Sequence, residues 1–253
     1  MAAAAPRPRL VRAPASPRPG KIAAMPETAQ PRSIRSFVTR AGRITAAQQR
    51  ALETLWPKYG LDYRDEPLAL AALFGRDAPC TLEIGFGNGA NLAALAREHP
   101  QRDYLGVEVH RPGVGRLLLA LEEDGLTNVR VVCHDAVEVL ERQIAPGSLA
   151  EILILFPDPW PKKRHHKRRL VQPAFLALAE RAMAAQAVLR VATDWEPYAL
   201  EMLAHLSAAP RLRNLAADGG FVTRPAERAP TRFELRGTRL GHEVWDLAFA
   251  RRP

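Results

Sequence analysis

Thr81-Leu82-Glu83-Ile84-Gly85-Phe86-Gly87-Asn88-Gly89 reads as a short buried strand that ends on an acid and turns through three glycines into a helix. Glycine lets a backbone take positive φ and come close to a ligand. Outward from this stretch, short β-branched or Leu-rich runs alternate with longer helical patterns, the signature of βαβ units and a parallel sheet. The candidate strands are 81–84, 104–109, 129–134, 151–156 and 188–193, and the candidate helices are 90–99, 111–123, 175–184 and 196–206. Pro112 suits a first helical turn, and Gly125 suits the end of the same helix. The alternation then lapses through a Pro- and Gly-rich stretch, and two extended runs, 232–235 and 244–250, are expected to close the sheet as an antiparallel edge. The fold class expected is α/β: a mostly parallel seven-stranded sheet with helices on both faces.

Charge is distributed unevenly. Residues 1–43 hold nine Arg or Lys against the single acid Glu27, and a second concentration, Lys162, Lys163, Arg164, Lys167, Arg168 and Arg169, leaves the remainder of the chain acidic. Such a pattern suggests a localised polyanion contact rather than a generally basic surface. Residues 1–31 carry seven prolines among Ala and Arg and are expected to form a disordered basic tail, leaving 32–253 as one domain with a helical N-terminal extension. Thr45 and Gln48 have capping-box spacing ahead of Leu52, Leu55 and Trp56, so a helix is expected to start there and stop near Pro57 and Gly60. Cys80 and Cys133 lack metal or disulfide spacing, and no apolar run approaches a membrane span or a signal core. The expectation is a soluble, cytoplasmic protein without a metal.

Three acids end three successive strands: Glu83, Glu108 and Asp135. Open α/β sheets bind ligands along that rim, so a nucleoside is the reading favoured for the group, with Glu108 toward ribose hydroxyls and Asp135 toward an adenine amino group. Taken singly, Glu108 or Asp135 could equally be a helix cap or a solvated turn acid. The glycine loop alone does not separate nucleoside from dinucleotide, because a helix N-terminus there also attracts a pyrophosphate.

At the fourth strand the sequence runs Leu155-Phe156-Pro157-Asp158-Pro159-Trp160-Pro161-Lys162-Lys163-Arg164-His165-His166-Lys167-Arg168-Arg169. This run resembles the signature of the bacterial tRNA (guanine-N7-)-methyltransferases. The resemblance continues in Ile34-Arg35-Ser36-Phe37-Val38 with Gly42-Arg43, in Ala192-Thr193-Asp194-Trp195-Glu196-Pro197-Tyr198, and in Thr231-Arg232-Phe233-Glu234. It implies a Rossmann-like class I methyltransferase that uses S-adenosylmethionine on N7 of a tRNA guanine, the one at position 46 of the variable loop. It further implies Glu83, Gly85, Gly87, Glu108, Asp135 and Asp158 for the cofactor, with Asp158 also the active-site residue. Lys162, Asp194, Thr231, Arg232, Phe233 and Glu234 would hold the guanosine, and Arg164, His165, His166, Lys167, Arg168 and Arg169 would contact RNA. The enzyme is expected to act as a monomer or homodimer with no protein partner.

The chemistry can be weighed separately. Guanine N7 has a lone pair and no proton to lose, so holding the sulfonium carbon in line matters more than a strong base. Asp158 is therefore read as an orienting and electrostatic group, and Trp160 either packs the base or anchors the loop. Asp194 either accepts the N1 and N2 donors of guanine or caps the following helix. A nucleotide-dependent oxidoreductase would leave the segment from Asp158 to Arg169 unexplained. A noncatalytic RNA-binding module would leave the acid rim unexplained.

Overall fold

The computed structural model describes residues 35–37, 42–225, 234 and 243–253, and the expectations for residues 1–31 fall outside this set. Among the described residues, eight strands form one sheet in the order β1-β4-β3-β2-β5-β6-β8-β7. The central five are β2 (Cys80–Ile84), β3 (Asp103–Val107), β4 (Val129–Val132), β5 (Leu149–Leu155) and β6 (Met183–Thr193). They pair in parallel, and β8 (Trp245–Arg251) then runs antiparallel to β6. Strands β2 and β3 are buried throughout, as a sheet covered on both faces requires.

The edges depart from the sequence reading. A two-residue strand, β1 (Gly60–Leu61), lies beside β4 and raises the count to eight. On its other side β8 pairs antiparallel with β7 (Leu212–Asn214), which the sequence did not mark as a strand. The three residues of β7 are too short a run to show an alternation in the sequence. In the expected run 232–235, Glu234 is helical, and the rest of that run lies outside the described residues.

The helices are α1 (Ala46–Thr54), α2 (Trp56–Tyr59), α3 (Leu70–Phe74), α4 (Ala90–Glu98), α5 (Arg111–Glu123), α6 (Ala136–Arg142), α7 (Pro173–Ala182) and α8 (Glu196–Ala208). Thr45 and Gln48 form the expected capping box, the Gln48 N–H donating to the Thr45 hydroxyl at 3.2 Å and the Thr45 N–H to Gln48 Oε1 at 2.9 Å. Pro57 opens the short α2 rather than ending a helix. Leu92, Val114, Leu117, Leu118 and Leu121 of α4 and α5 pack on one face of the sheet with Ala51 of α1. Val139, Leu140, Phe175, Leu176, Tyr198, Met202 and Leu206 of α6, α7 and α8 pack on the other. Among the described residues no helix is long and apolar enough to cross a membrane.

Candidate active site at the strand ends

The glycine loop between β2 and α4 is left-handed at each glycine: φ is 71° at Gly85, 60° at Gly87 and 75° at Gly89. A Cβ at Gly85 or Gly87 would enter open space, with no heavy atom within 4 Å. The loop therefore presents bare backbone to open space beside the strand ends. This is what a closely seated cofactor needs.

The rim acids at the neighbouring strand ends are in different states. Glu108 is buried beyond the end of β3; its Oε2 accepts the Gly87 N–H at 2.8 Å, and its Oε1 accepts those of Val109 at 2.7 Å and His110 at 2.8 Å. It stitches the glycine loop to the neighbouring strand. A carboxylate offers about four lone-pair sites, so capacity remains for a hydroxyl donor. Glu83 is only 2% exposed, accepts Asn91 Nδ2 at 3.1 Å, and burial pushes its carboxyl up to about 7; the Asn91 hydrogen bond opposes that rise and the Glu108 charge adds to it. Asn91 Oδ1 is buried without a partner. Asp135 caps α6, accepting the Val137 N–H at 3.0 Å, and burial raises its pKa while that hydrogen bond and Arg35 act in the opposite sense. The capping alternative thus holds for Asp135 on one oxygen. The helix it caps was absent from the sequence reading.

Beyond β5 the chain leaves the sheet abruptly. Phe156 and Trp160 take φ of 54° and 44°, values that non-glycine residues rarely hold. Such residues cost roughly 1–3 kcal/mol each and persist only when the surroundings over-determine them. Asp158 sits exposed between them, and Lys162 leads into a 3-10 helix, Lys163–Arg168. Trp160 is tied down: its indole N–H donates to the Ser36 carbonyl at 3.1 Å, Arg168 lies over its ring at 5.1 Å, and His165 meets its edge at 5.9 Å. The anchoring alternative is the one seen. Lys163, Arg164 and Lys167 face solvent, and the neighbouring cations and partial desolvation lower the pKa of His165, desolvation most.

Arg169 is the exception in the basic run. Expected at the RNA, it is buried, with its side chain 1% exposed, paired to Glu201 and stacked on Tyr198 at 4.7 Å. A guanidinium so enclosed has no face left for a phosphate. Asp194 is half-buried at the end of β6, and no side chain caps α8, so the capping alternative is not seen there. Thr231, Arg232 and Phe233 lie outside the described residues; Glu234 is buried, and Arg224 Nη1 approaches its Oε1 at 3.3 Å.

Sequence reasoning passed over Gly113 and Gly115, although both lie inside α5. A Cβ at Gly113 would stand 2.0 Å from the Gly87 carbonyl oxygen, and one at Gly115 2.8 Å from that of Gln48. Glycine inside a helix costs about 1 kcal/mol relative to Ala, and that penalty was the available signal of a close backbone approach.

The sequence model of a family described as putative methyltransferase matches residues 77–247. A tRNA (guanine-N(7)-)-methyltransferase of Sodalis glossinidius is 56% identical over 220 residues, covering 87% of this chain and 92% of that protein. Proteins of the same name from Leifsonia xyli and Methylococcus capsulatus are 58% and 59% identical, each over 87% of this chain and over 96% and 95% of their own lengths. The chain belongs to the tRNA (guanine-N7-)-methyltransferase family. Among solved structures, a 16S rRNA (adenine(1408)-N(1))-methyltransferase from Catenulisporales acidiphilia superposes with a TM-score of 0.50 at 13% identity, over 73% of this chain and 90% of that one. That likeness establishes the class I methyltransferase fold.

Proposed function

We propose that this chain transfers the methyl group of S-adenosylmethionine to N7 of a guanine in tRNA, forming 7-methylguanosine. The observation that carries the reading is an open-faced glycine loop at the strand ends that carry Glu83, Glu108 and Asp135, on the same sheet as a strained Asp158 loop that continues directly into a solvent-facing basic helix. The name carried by relatives at 56–59% identity agrees with it.

The residues fit the cofactor. Gly85 and Gly87 leave room for it, Glu108 keeps acceptor capacity for ribose hydroxyls, and buried Glu83 is a carboxylate that a nearby cation would draw into its charged form. When bound, S-adenosylmethionine supplies an electrophilic methyl group on a sulfonium. The protein holds the acceptor guanine in line with it, which is worth several orders of magnitude by orientation alone. Asp158 offers negative charge where the base becomes cationic, and no residue has to remove a proton from N7. Asp194 and Lys162 would hold the guanine edges, with Thr231, Arg232, Phe233 and Glu234 completing that pocket. Lys163, Arg164, Lys167 and Arg168 would take phosphates. The reading includes a cytoplasmic enzyme acting as a monomer or homodimer without a protein partner.

The test is incubation of purified protein with labelled methyl donor and bulk unmodified tRNA, without added metal, followed by nucleoside analysis. Label in 7-methylguanosine is expected. Label only in another nucleoside defeats the assignment of N7.

A further inference from the structure

We propose that Arg169 and Glu201 form a buried bridge that sets the spacing between the loop bearing Asp158 and the strand end bearing Asp194. Arg169 is then a positioning residue and not an RNA contact. The inference rests on the function proposed above.

Removing a guanidinium from water is expensive unless its donors and its faces are all occupied. Arg169 has partners for two of its nitrogens and for one face, drawn from two separate parts of the site. Its Nε donates to the carbonyl of Pro159 at 2.9 Å, the residue next to Asp158. Its Nη1 pairs with Glu201, and its plane lies 4.7 Å from the centre of the Tyr198 ring. Tyr198 and Glu201 belong to the opening turns of α8, which starts two residues after Asp194. One rigid fork therefore holds both segments at once.

Two further contacts close the assembly. The Tyr198 hydroxyl, itself buried, accepts the Val171 N–H at 3.1 Å, fixing the chain where it returns from the basic helix to the core. His166 Nδ1 lies 4.0 Å from Glu201 on the solvent side. The left-handed residues Phe156 and Trp160 flank Pro159, so the loop is held in a conformation it would not choose alone. Arg169 supplies part of the constraint, and lysine cannot replace it, because an ammonium lacks the planar fork that reaches Pro159 and Glu201 together.

The test compares wild type with Arg169→Lys, Glu201→Gln and the double variant. Turnover is measured per folded molecule, together with tRNA affinity across a salt series and hydrogen exchange by mass spectrometry. Each single variant should lower kcat about 10- to 100-fold, the scale of a misplacement near 1 Å. The double variant should be no worse than the poorer single one, because the two residues act as a unit. The affinity for tRNA and its salt slope should stay within about twofold of wild type, since a residue with no exposed cationic face releases no counterions. Exchange in peptides covering 164–172, where the amides of His165, Arg169 and Val171 are hydrogen-bonded, should accelerate at least about tenfold while peptides of β5 are unchanged, the signature of a local opening. Unchanged kcat per folded molecule, or a flattened salt slope with normal kcat, overturns the proposal. Unchanged exchange in 164–172 also overturns it, and that readout holds even if wild type methylates something other than tRNA.

Discussion

Trp160 donates its indole N–H to the backbone carbonyl of Ser36, joining the loop after β5 to a residue 124 positions earlier. Two more features place the same N-terminal stretch beside the strand ends. Arg35 is close enough to Asp135 to lower its pKa, and a Cβ on Gly42 would stand 2.6 Å from His110 Nε2. The resemblance in Arg35-Ser36-Phe37 and Gly42-Arg43 thus acquires a physical reason, because this stretch lies beside strand ends that carry the rim acids. Trp160→Phe keeps the ring under Arg168 but loses the donor, and a neutral hydrogen bond is worth about 0.5–1.5 kcal/mol net. We expect the cofactor requirement to rise about 2- to 10-fold, with faster proteolysis at Arg35. Identical proteolysis and KM in the variant would show that the contact holds nothing.

Asp158 is exposed, so Asp158→Ala should spare the fold. Turnover should fall about 100-fold or more, the usual cost of losing a group aimed at developing charge. Glu108 requires a gentler change, since alanine there would orphan the amides of Gly87, Val109 and His110. Glu108→Gln retains the acceptor oxygen facing one side and should raise the cofactor KM more than it lowers kcat. Circular dichroism and steady-state kinetics distinguish the two patterns. An Asp158→Ala enzyme with normal kcat would remove that residue from the mechanism.

Glu83 makes a prediction about pH. Its carboxyl rises from 4.5 to about 7 on burial, so the folded state binds more protons than the unfolded state between those values. The linkage sign follows: the penalty for charging Glu83 is absent below the unfolded value and complete above the folded one, so this residue makes stability fall as pH rises through that window. The full effect is about 2–4 kcal/mol. Glu83→Gln should therefore gain on wild type between pH 5 and 8 in urea midpoints, while binding the cationic cofactor less well. A stability difference that stays constant across those pH values contradicts the assignment.

The parallel core was legible because β2 through β6 each carry β-branched or Leu-rich runs long enough to show a pattern. The edges were not, because β1 and β7 span only two and three residues and are defined by their neighbours. The rim acids could be placed from their positions at strand ends. What they do there could not, since Glu108 accepting three backbone N–H groups is a property of the glycine loop folding back on β3. Arg169 is the clearest case: in sequence it is the last of six cations, and only its tertiary partners Tyr198 and Glu201 separate it from the others. Local composition carries charge but no burial.

Gly113 offers a test of how tightly the glycine loop is braced. A methyl group there overlaps the Gly87 carbonyl oxygen at 2.0 Å, and neither backbone can yield without moving the loop away from α5. Gly115→Ala provides the comparison, because its new methyl group presses on Gln48 of α1 instead. Both changes should destabilise the fold by about 1–3 kcal/mol through overpacking. Only Gly113→Ala should also weaken cofactor binding, by about 10-fold if half or more of that strain is relieved in the loop. Calorimetric titration of cofactor into both variants checks this, and equal affinities would mean that the loop absorbs the methyl group without distortion.

The basic helix now divides into residues with different duties, and the salt dependence of tRNA binding should follow the division. Lys162, Lys163, Arg164 and Lys167 are exposed, Arg168 is half-buried against Trp160, and Arg169 is enclosed. With Lys162 at the guanine, at most four of these cations are available, and if three or four phosphates are neutralised, log affinity should fall with log salt at a slope of about −2 to −3.6. Replacing Lys163, Arg164 and Lys167 together with alanine removes three exposed charges and no core contact. That variant should weaken tRNA binding at low salt and flatten the slope by about 2 to 3, with cofactor affinity unchanged because the glycine loop and rim acids belong to other strands. A solvated charge run with no RNA contact would leave both the affinity and the slope where they were, and filter binding of tRNA at four salt concentrations separates these results. The same series with Glu201→Gln serves as the internal contrast, since loosening the bridge at Arg169 should alter turnover and leave the slope alone.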